Sequence, residues 1–254
     1  MTKIYYFSGT GNTLWSAKKI AGKTGSQCEL INIGTEAQKK EIIIEADAVV
    51  LLYPAYAYGA PIIVRKFVKK AVFKTPYIAA FVTMGSSPGG ALAEICRILK
   101  RKHKGATYFG RIPAVENYIP IFGSPGADYI KERTNMQEKA TDEAAICLIE
   151  KRTNRINTFR PFSAFVSVLF SLGLKLFYRW YRLEASCDSC GLCEKVCPVS
   201  AITIKGGRPV FSKKCEHCQG CINWCPKHAI NFGTIKSGTP RYHHPEIKAG
   251  DILR

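Results

Sequence analysis

Ile4-Tyr5-Tyr6-Phe7-Ser8-Gly9-Thr10-Gly11-Asn12-Thr13 is the stretch that decides the larger part of the fold. Its first four residues form a short apolar strand, the next six are small or polar, and Leu14, Ala17, Ile20 and Ala21 then recur with helical period. A strand, a small-residue loop and a helix in succession make a phosphate site, because backbone N–H groups of the loop and of the helix N-terminus converge on one anion. The candidate ligands are Ser8, Gly9, Thr10, Gly11, Asn12 and Thr13, with the hydroxyls of Ser8, Thr10 and Thr13 adding hydrogen bonds. Two other phosphate motifs fail on countable positions. A dinucleotide fingerprint needs a third glycine where Leu14 stands, and a P-loop ending at Gly22-Lys23-Thr24 needs glycine at Ala17.

Working outward, strands are expected at 27–33, 46–53, 76–83 and 106–112, and helices at 13–23, 62–72, 90–102 and 127–156. This alternation predicts an α/β doubly wound parallel sheet. The run Ile4-Tyr5-Tyr6, Ser8, Gly11, Thr13, Ala17 and Ile20 resembles the flavodoxin phosphate-loop signature over about twenty residues. The resemblance implies a flavodoxin-like sheet of order 2-1-3-4-5 that binds flavin mononucleotide (FMN) at the carboxyl ends of its strands. Two loops fall at those ends. Tyr53–Pro61 offers Pro54, Tyr56, Tyr58 and Gly59, whose tyrosines can stack on a flavin ring or pack on the sheet edge. Thr83–Gly90 offers Thr83, Gly85, Gly89 and Gly90, where glycines let backbone amides approach the ring. Asn117 and Tyr118, with Ile119-Pro120, form a third segment that can close over the site.

Near the C-terminus one cysteine spacing occurs twice: Cys187, Cys190, Cys193 and Cys197-Pro198, then Cys215, Cys218, Cys221 and Cys225-Pro226. Ala201-Ile202 and Ala229-Ile230 recur at the same offset, which points to two copies related by a pseudo-twofold axis. The run resembles that of bacterial dicluster ferredoxins, in which the fourth cysteine of each run ligates the other cluster. The resemblance therefore implies two [4Fe-4S] clusters, the first on Cys187, Cys190, Cys193 and Cys225, the second on Cys215, Cys218, Cys221 and Cys197. Zinc asks for four ligands in paired spacings rather than triplets with a distant fourth. Disulfide frameworks belong to secreted domains, whereas Met1–Phe7 runs into a strand with no apolar signal stretch, so a reducing cytoplasm is the expected location. Cys28, Cys96 and Cys147 are read as small core residues. His217 lies between two ligands, but the cysteine count is complete without it.

The 254 residues accommodate one large and one small domain. The expected division is 1–158 for the flavodoxin-like domain, 159–183 for an apolar and basic linker helix, 184–233 for the cluster domain and 234–254 for a polar, turn-rich tail. From Glu184 to Phe232 there is too little apolar material for an unaided core, so the clusters are expected to supply it. The net charge of +18 would suit nucleic acid, yet anionic clusters and a flavin phosphate offset part of it, and no nucleic-acid partner is expected. Lys100-Arg101-Lys102-His103-Lys104 ends a predicted helix, where cations complement the dipole. In the linker, Phe162, Phe165, Val166, Leu169, Leu172, Leu176, Phe177 and Trp180 fall at helical spacing with Arg160, Lys175, Arg179 and Arg182 near the ends. Its uncharged stretch of about 14 residues is shorter than the roughly 20 that span a bilayer. Packing between the domains is the preferred reading, with a membrane interface as the alternative.

Taken whole, the chain resembles flavodoxin/ferredoxin fusion proteins of anaerobes, through the phosphate loop, the Tyr-rich and Gly-rich loops, Asn117-Tyr118, both cysteine runs and Arg241-Tyr242. The resemblance implies an iron-sulfur flavoprotein that moves electrons between clusters and flavin within one chain. Its partner is expected to be a redox protein, with an acidic one suiting the charge, or a small-molecule acceptor. A flavin-dependent reductase of a quinone or similar molecule is the nearest alternative, and a basic binding module with structural clusters a more distant one.

Overall fold

The near-continuous apolar run Val49–Tyr53 has no exposed residue, as a parallel strand covered on both faces requires. In a computed structural model of the protein it lies in the middle of a five-stranded parallel sheet of β1 (Thr2–Tyr6), β2 (Cys28–Asn32), β3 (Ala48–Pro54), β4 (Tyr77–Met84) and β5 (Ala106–Pro113), in the order β2-β1-β3-β4-β5. The description covers all residues except Ser26, Lys104, Thr234, Ser237 and Arg254, and in one helix it omits the side chains of Leu174 and Lys175. Lys104 of the basic run and the Lys175 side chain thus lie outside it. The expected order is the observed one.

Helices α1 (Asn12–Lys23), α2 (Ile62–Lys70), α3 (Ala91–Lys102) and α4 (Ala127–Ile149) cover the sheet. Val64, Phe67, Val68, Ile95 and Leu99 fill one face, and Ala17, Ile20, Ala144 and Leu148 the other. Cys96 and Cys147 are buried as small core residues, whereas Cys28 is half-buried. Lys100, Arg101 and Lys102 occupy the last turn of α3, where cations meet the helix dipole.

The helix expected to continue to 156 stops at Ile149. Arg152 N–H donates to Cys147 O at 3.0 Å and Lys151 N–H to Leu148 O at 3.2 Å, while Lys151 takes φ 48°, a Schellman ending built on lysine instead of glycine. Beyond it the Asn154 side chain brackets Phe109, accepting from its N–H and donating to its carbonyl at 2.9 Å each. The freed segment thus pairs with the otherwise open edge of β5.

The C-terminal part contains the hairpin Ile202–Lys205/Arg208–Phe211, turned by Gly206 and Gly207 at φ 53° and 76°, and an antiparallel pair of Tyr181–Leu183 with Ile230–Phe232. The two parts share a core: Leu14 and Trp15 of α1 pack with Val196, Trp224, Ile247 and Ile252.

Helix α5 (Pro161–Phe177) joins them. Its side facing the protein carries Ser163, Ser167 and Ser171. Ser167 donates to Glu94 at 2.9 Å, Arg65 donates to Ser171 at 2.8 Å, and Glu94 also accepts from Ala60 N–H at 3.0 Å. The expectation that the apolar stretch packs between domains needs correction, because Phe162, Phe165, Leu169, Leu172, Leu176 and Trp180 are exposed. Of the apolar residues named above, Val166 and Phe177 turn toward the body, as does Phe170, which lies outside that set.

Candidate functional site: a cavity walled by the phosphate-type loop and the second cysteine run

The Ser8–Thr13 loop leaves β1 at its carboxyl end and opens α1, whose first N–H groups have no intrahelical acceptor. Gly11, at φ 99°, takes a conformation that only glycine adopts readily and donates to Ser8 Oγ at 3.2 Å. Thr13 and Thr83 hydroxyls meet at 2.7 Å, and Asn117 donates to Thr10 Oγ1. The Asn12 side chain is engaged on both ends: its amide donates to Val115 O at 3.0 Å and its oxygen accepts from Tyr242 at 2.9 Å. It fixes the loop, leaving its backbone to face a ligand.

These residues line a cavity of about 300 Å³. Of the expected contacts, Ser8, Gly9, Thr10, Asn12, Thr13, Pro54, Tyr56, Tyr58, Thr83, Gly85, Asn117 and Tyr118 line it, while Gly11, Gly59, Gly89 and Gly90 stand behind the wall. Gly59 makes room for α5, since a Cβ there would stand 2.0 Å from Ser167 Oγ. Gly89 and Gly90 lie against Tyr58, Gly90 also against Ser163. Tyr56 packs edge-on to Phe7 with ring centres 6.3 Å apart, whereas Tyr58, 45% exposed, meets Phe162 of α5. Tyr56 opens, and Tyr58 lies within, a tight turn closed by Tyr56–Gly59 hydrogen bonds of 2.9 Å, with Ala57 and Tyr58 at φ 42° and 64°. Non-glycine residues in that region cost roughly 1–3 kcal/mol each and are held only by a surrounding that needs them.

The far wall of the cavity is His217-Cys218-Gln219 from the second cysteine run. A Cβ on residue 9 would stand 2.4 Å from the Cys218 carbonyl oxygen, so glycine at that position lets the two halves touch. Trp224 Nε1 donates to Gly9 O at 3.0 Å from the same side. His217 is ringed by aromatic side chains, Phe232 at 4.3 Å and Phe177 at 5.7 Å between centres, and its Nδ1 lies 3.1 Å from Tyr118 Oη. Burial lowers the His217 pKa to about 4 and raises that of Tyr118 to about 12, the latter with help from Cys215, so both are neutral near pH 7. His217 Nε2 and Gln219 Oε1 are buried without a partner among the described residues. Unpaired polar atoms on the wall of a cavity fit a site that receives a polar ligand.

Cys187, Cys190, Cys193 and Cys225 line a second, small hollow together. Cys197 lies within electrostatic reach of Cys215, Cys218 and Cys221. The repeat extends to the backbone. Ser189 and His217, Gly191 and Gln219, and Ser200 and His228 are matched pairs at left-handed φ, and Ala201 N–H and Ala229 N–H donate to the sulfurs of Cys197 and Cys225 at 3.2 and 3.3 Å. Burial pushes the Cys218 and Cys221 thiols well up, so thiolates at that depth require a cation beside them. This donor set suits iron bound through sulfur.

The flavodoxin domain family matches residues 3–103, and the 4Fe-4S binding domain family matches residues 181–203. A ferredoxin-like protein in the nif region of Bradyrhizobium diazoefficiens is 36% identical over 70 residues, covering 25% of this chain and 92% of that protein. The chain belongs to the flavodoxin/ferredoxin fusion proteins. A counterpart of the ferredoxin-like protein in Sinorhizobium fredii is 39% identical over 51 residues, 17% of the fusion protein and 80% of its relative. Among solved structures, the Fusobacterium nucleatum flavodoxin bound to flavin mononucleotide aligns with 60% of the fusion protein and 98% of its own chain, at 15% identity and TM-score 0.40. The rubredoxin oxygen:oxidoreductase of Desulfovibrio gigas aligns over 57% of the fusion protein and 36% of its own chain, at 16% identity and TM-score 0.33. The two halves of the fusion protein are those of an iron-sulfur flavoprotein electron carrier.

Sequence reasoning missed three contributors to the site. Glu116 lines the cavity and accepts from the N–H groups of Asn117 and Tyr118 at 3.1 and 3.2 Å, which shapes the third loop. Arg133, on α4, donates to Ala114 O at 3.2 Å, Met84 O at 3.3 Å and Gly85 O, tying two loops together with one guanidinium. The third is the tail of the fusion protein. Tyr242 bridges the halves through Asn12 and Asn223, His244 N–H donates to Thr10 O at 2.9 Å, and the His244 ring stacks on Trp15. Charge spacing gave no hint of the first two, and the Arg241-Tyr242 pair was the one signal for the third.

Proposed function

We propose that the fusion protein transfers electrons within one chain between a cluster held by Cys215, Cys218, Cys221 and Cys197 and an FMN held in the adjoining cavity. The observation that carries this reading is that His217-Cys218-Gln219 forms a wall of the same cavity as the phosphate loop. Bound FMN takes up or releases one or two electrons and a cluster one, so the pair converts between single-electron and two-electron carriers. The chain's residues supply position and insulation. Ser8, Thr10, Thr13 and the first turn of α1 hold the phosphate, Tyr56 and Tyr58 border the ring, and the aromatic shell around His217 excludes water from the cluster side. The second hollow, with Cys187, Cys190, Cys193 and Cys225, supports a further cluster farther from the flavin and nearer to solvent, since Cys190 is exposed. With eight cysteines engaged, no iron keeps an open position, and the clusters conduct rather than catalyse.

The test is anaerobic purification followed by metal and flavin analysis, with about eight iron atoms and one FMN expected. Rapid mixing with a one-electron donor should reduce clusters first and flavin second. Cys218→Ser should slow flavin reduction more than Cys187→Ser does. Equal slowing by both would refute the assigned order, and stoichiometric zinc would refute the clusters. Apolar Ile121, Phe122, Val166 and Phe170 on the cavity wall favour a lipophilic small molecule as a terminal acceptor at the flavin. Flavin reoxidation by a soluble quinone analogue, faster than by a polar acceptor of equal potential, tests that second reading.

A further inference from the structure

Helix α5 is inverted relative to a helix that buries its apolar stripe. Its serines face the protein together with Val166, Phe170 and Phe177, while most of its large side chains face solvent: Phe162, Phe165, Leu169, Leu172 and Leu176, between 57% and 70% exposed, follow one another at intervals of three and four residues. The orientation is fixed from within. Ser167 bonded to Glu94, Arg65 bonded to Ser171, and the close fit of Ser167 over Gly59 would all be lost if the helix rolled to bury its outer stripe. Rolling would also leave the Glu94 carboxylate and the Arg65 guanidinium short of partners in a half-buried setting, which is unfavourable. The outer stripe therefore stays exposed, and a contiguous apolar face of this kind marks an interaction site.

We propose that the outer face of α5 seats the protein on an anionic lipid membrane as a monotopic helix. Charge selects this occupant. Residues 157–183 contain no Asp or Glu, while Arg160, Arg179 and Arg182 lie beside the helix ends, and the whole chain carries +18. Apolar residues on one face with cations at the margins are what an anionic interface binds, through apolar insertion plus attraction to headgroups. The 17 residues of α5 measure about 26 Å, short of the roughly 30 Å hydrocarbon core, and among the described residues no helix is long and apolar enough to cross a membrane. The helix would lie in the interface. Exposed Ile121 and Phe122 share the cavity wall with Val166 and Phe170 on the inner side of α5, so the docked protein would hold its flavin cavity against the lipid boundary. The seating itself does not depend on the electron-transfer reading.

The test uses anaerobically purified holoprotein with phosphatidylcholine vesicles, with and without about one-third phosphatidylglycerol, followed by cosedimentation and by Trp180 emission. Binding to the anionic vesicles, weakened by salt, with Trp180 shifted to shorter wavelength, is expected. The Leu169→Ser/Leu172→Ser variant, altered at exposed positions, should retain cofactors and fold yet bind at least about tenfold more weakly. Absence of binding by the wild type overturns the proposal. Binding that survives the double substitution also overturns it, since a general basic surface would then suffice. Sedimentation equilibrium that finds a dimer dissociated by the same variant, with no vesicle binding, would assign the face to a second copy instead.

Discussion

Helix α5 and the tail after Phe232 both connect the flavodoxin half to the cluster half, and they do so with opposite chemistry. The helix is rich in Phe and Leu, yet it contacts the protein through serines and through Val166, Phe170 and Phe177, and turns its main apolar stripe outward. The tail is rich in turns and polar residues, yet it buries Tyr242, His244, Ile247 and Ile252, which are between 0% and 5% exposed. Composition therefore misidentifies which of the two holds the halves together. What holds them is complementarity to a preformed surface, which the tail finds at Trp15, Trp224 and Asn12.

The contrast breaks most completely if the tail is removed. Cutting residues 241–254 deletes Ile247 and Ile252 from the shared core, where buried Ile→Ala changes alone cost about 2–5 kcal/mol each, and removes the Tyr242 bridge between Asn12 and Asn223. Denaturant unfolding of the anaerobic holoprotein should show a loss of at least about 4 kcal/mol together with FMN release. An unchanged midpoint would mean that α5 suffices.

Acid should loosen the same strap. Burial lowers the His244 pKa from 6.5 to about 4, so the unfolded chain takes up the proton first as pH falls. The stability that neutral His244 contributes is complete above about 6.5 and is lost progressively down to about 4, amounting to about 3 kcal/mol at most. Comparing the stability of wild type and His244→Gln between pH 7 and 5 checks the sign. The variant should give the flatter profile.

A smaller effect is expected where α5 meets the body. In Gly59→Ala the new methyl would collide with Ser167, and forcing the helix outward should cost about 1–3 kcal/mol. A Ser167→Gly partner substitution should restore part of that loss in a double-mutant cycle. The smallest change belongs to the outer stripe: Leu169→Ser should alter the unfolding free energy by no more than about 0.5 kcal/mol. A loss comparable to that of Ile247→Ala would show that the stripe is covered by the protein's own fold.

The chemistry of the two halves was legible because it is local. Four cysteines and a proline at fixed spacing, or a strand running into Ser8-Gly9-Thr10-Gly11-Asn12-Thr13, bring their functional groups together within a few residues. The alternation of strands and helices likewise gave a doubly wound parallel sheet, whose order the resemblance of the phosphate loop to that of flavodoxins implied. The end of α4 was not legible, because Lys151 provides the left-handed cap without the glycine that would have marked it.

By itself the sequence determined a flavodoxin-like sheet with its phosphate loop, a ferredoxin-like repeat with its ligand spacing, and a helix between them too short to cross a bilayer. The tertiary structure alone decided that Cys218 meets Gly9, that Arg133 and Glu116 shape the cavity, that the tail seals the junction, and that α5 faces outward. These depend on partners far apart in the chain: Ser167 on Glu94, Tyr242 on Asn12, Trp224 on Gly9. A periodic pattern identifies a helix and its two faces, but which face turns inward is set by the hydrogen-bond donors, acceptors and gaps that the rest of the chain presents to it.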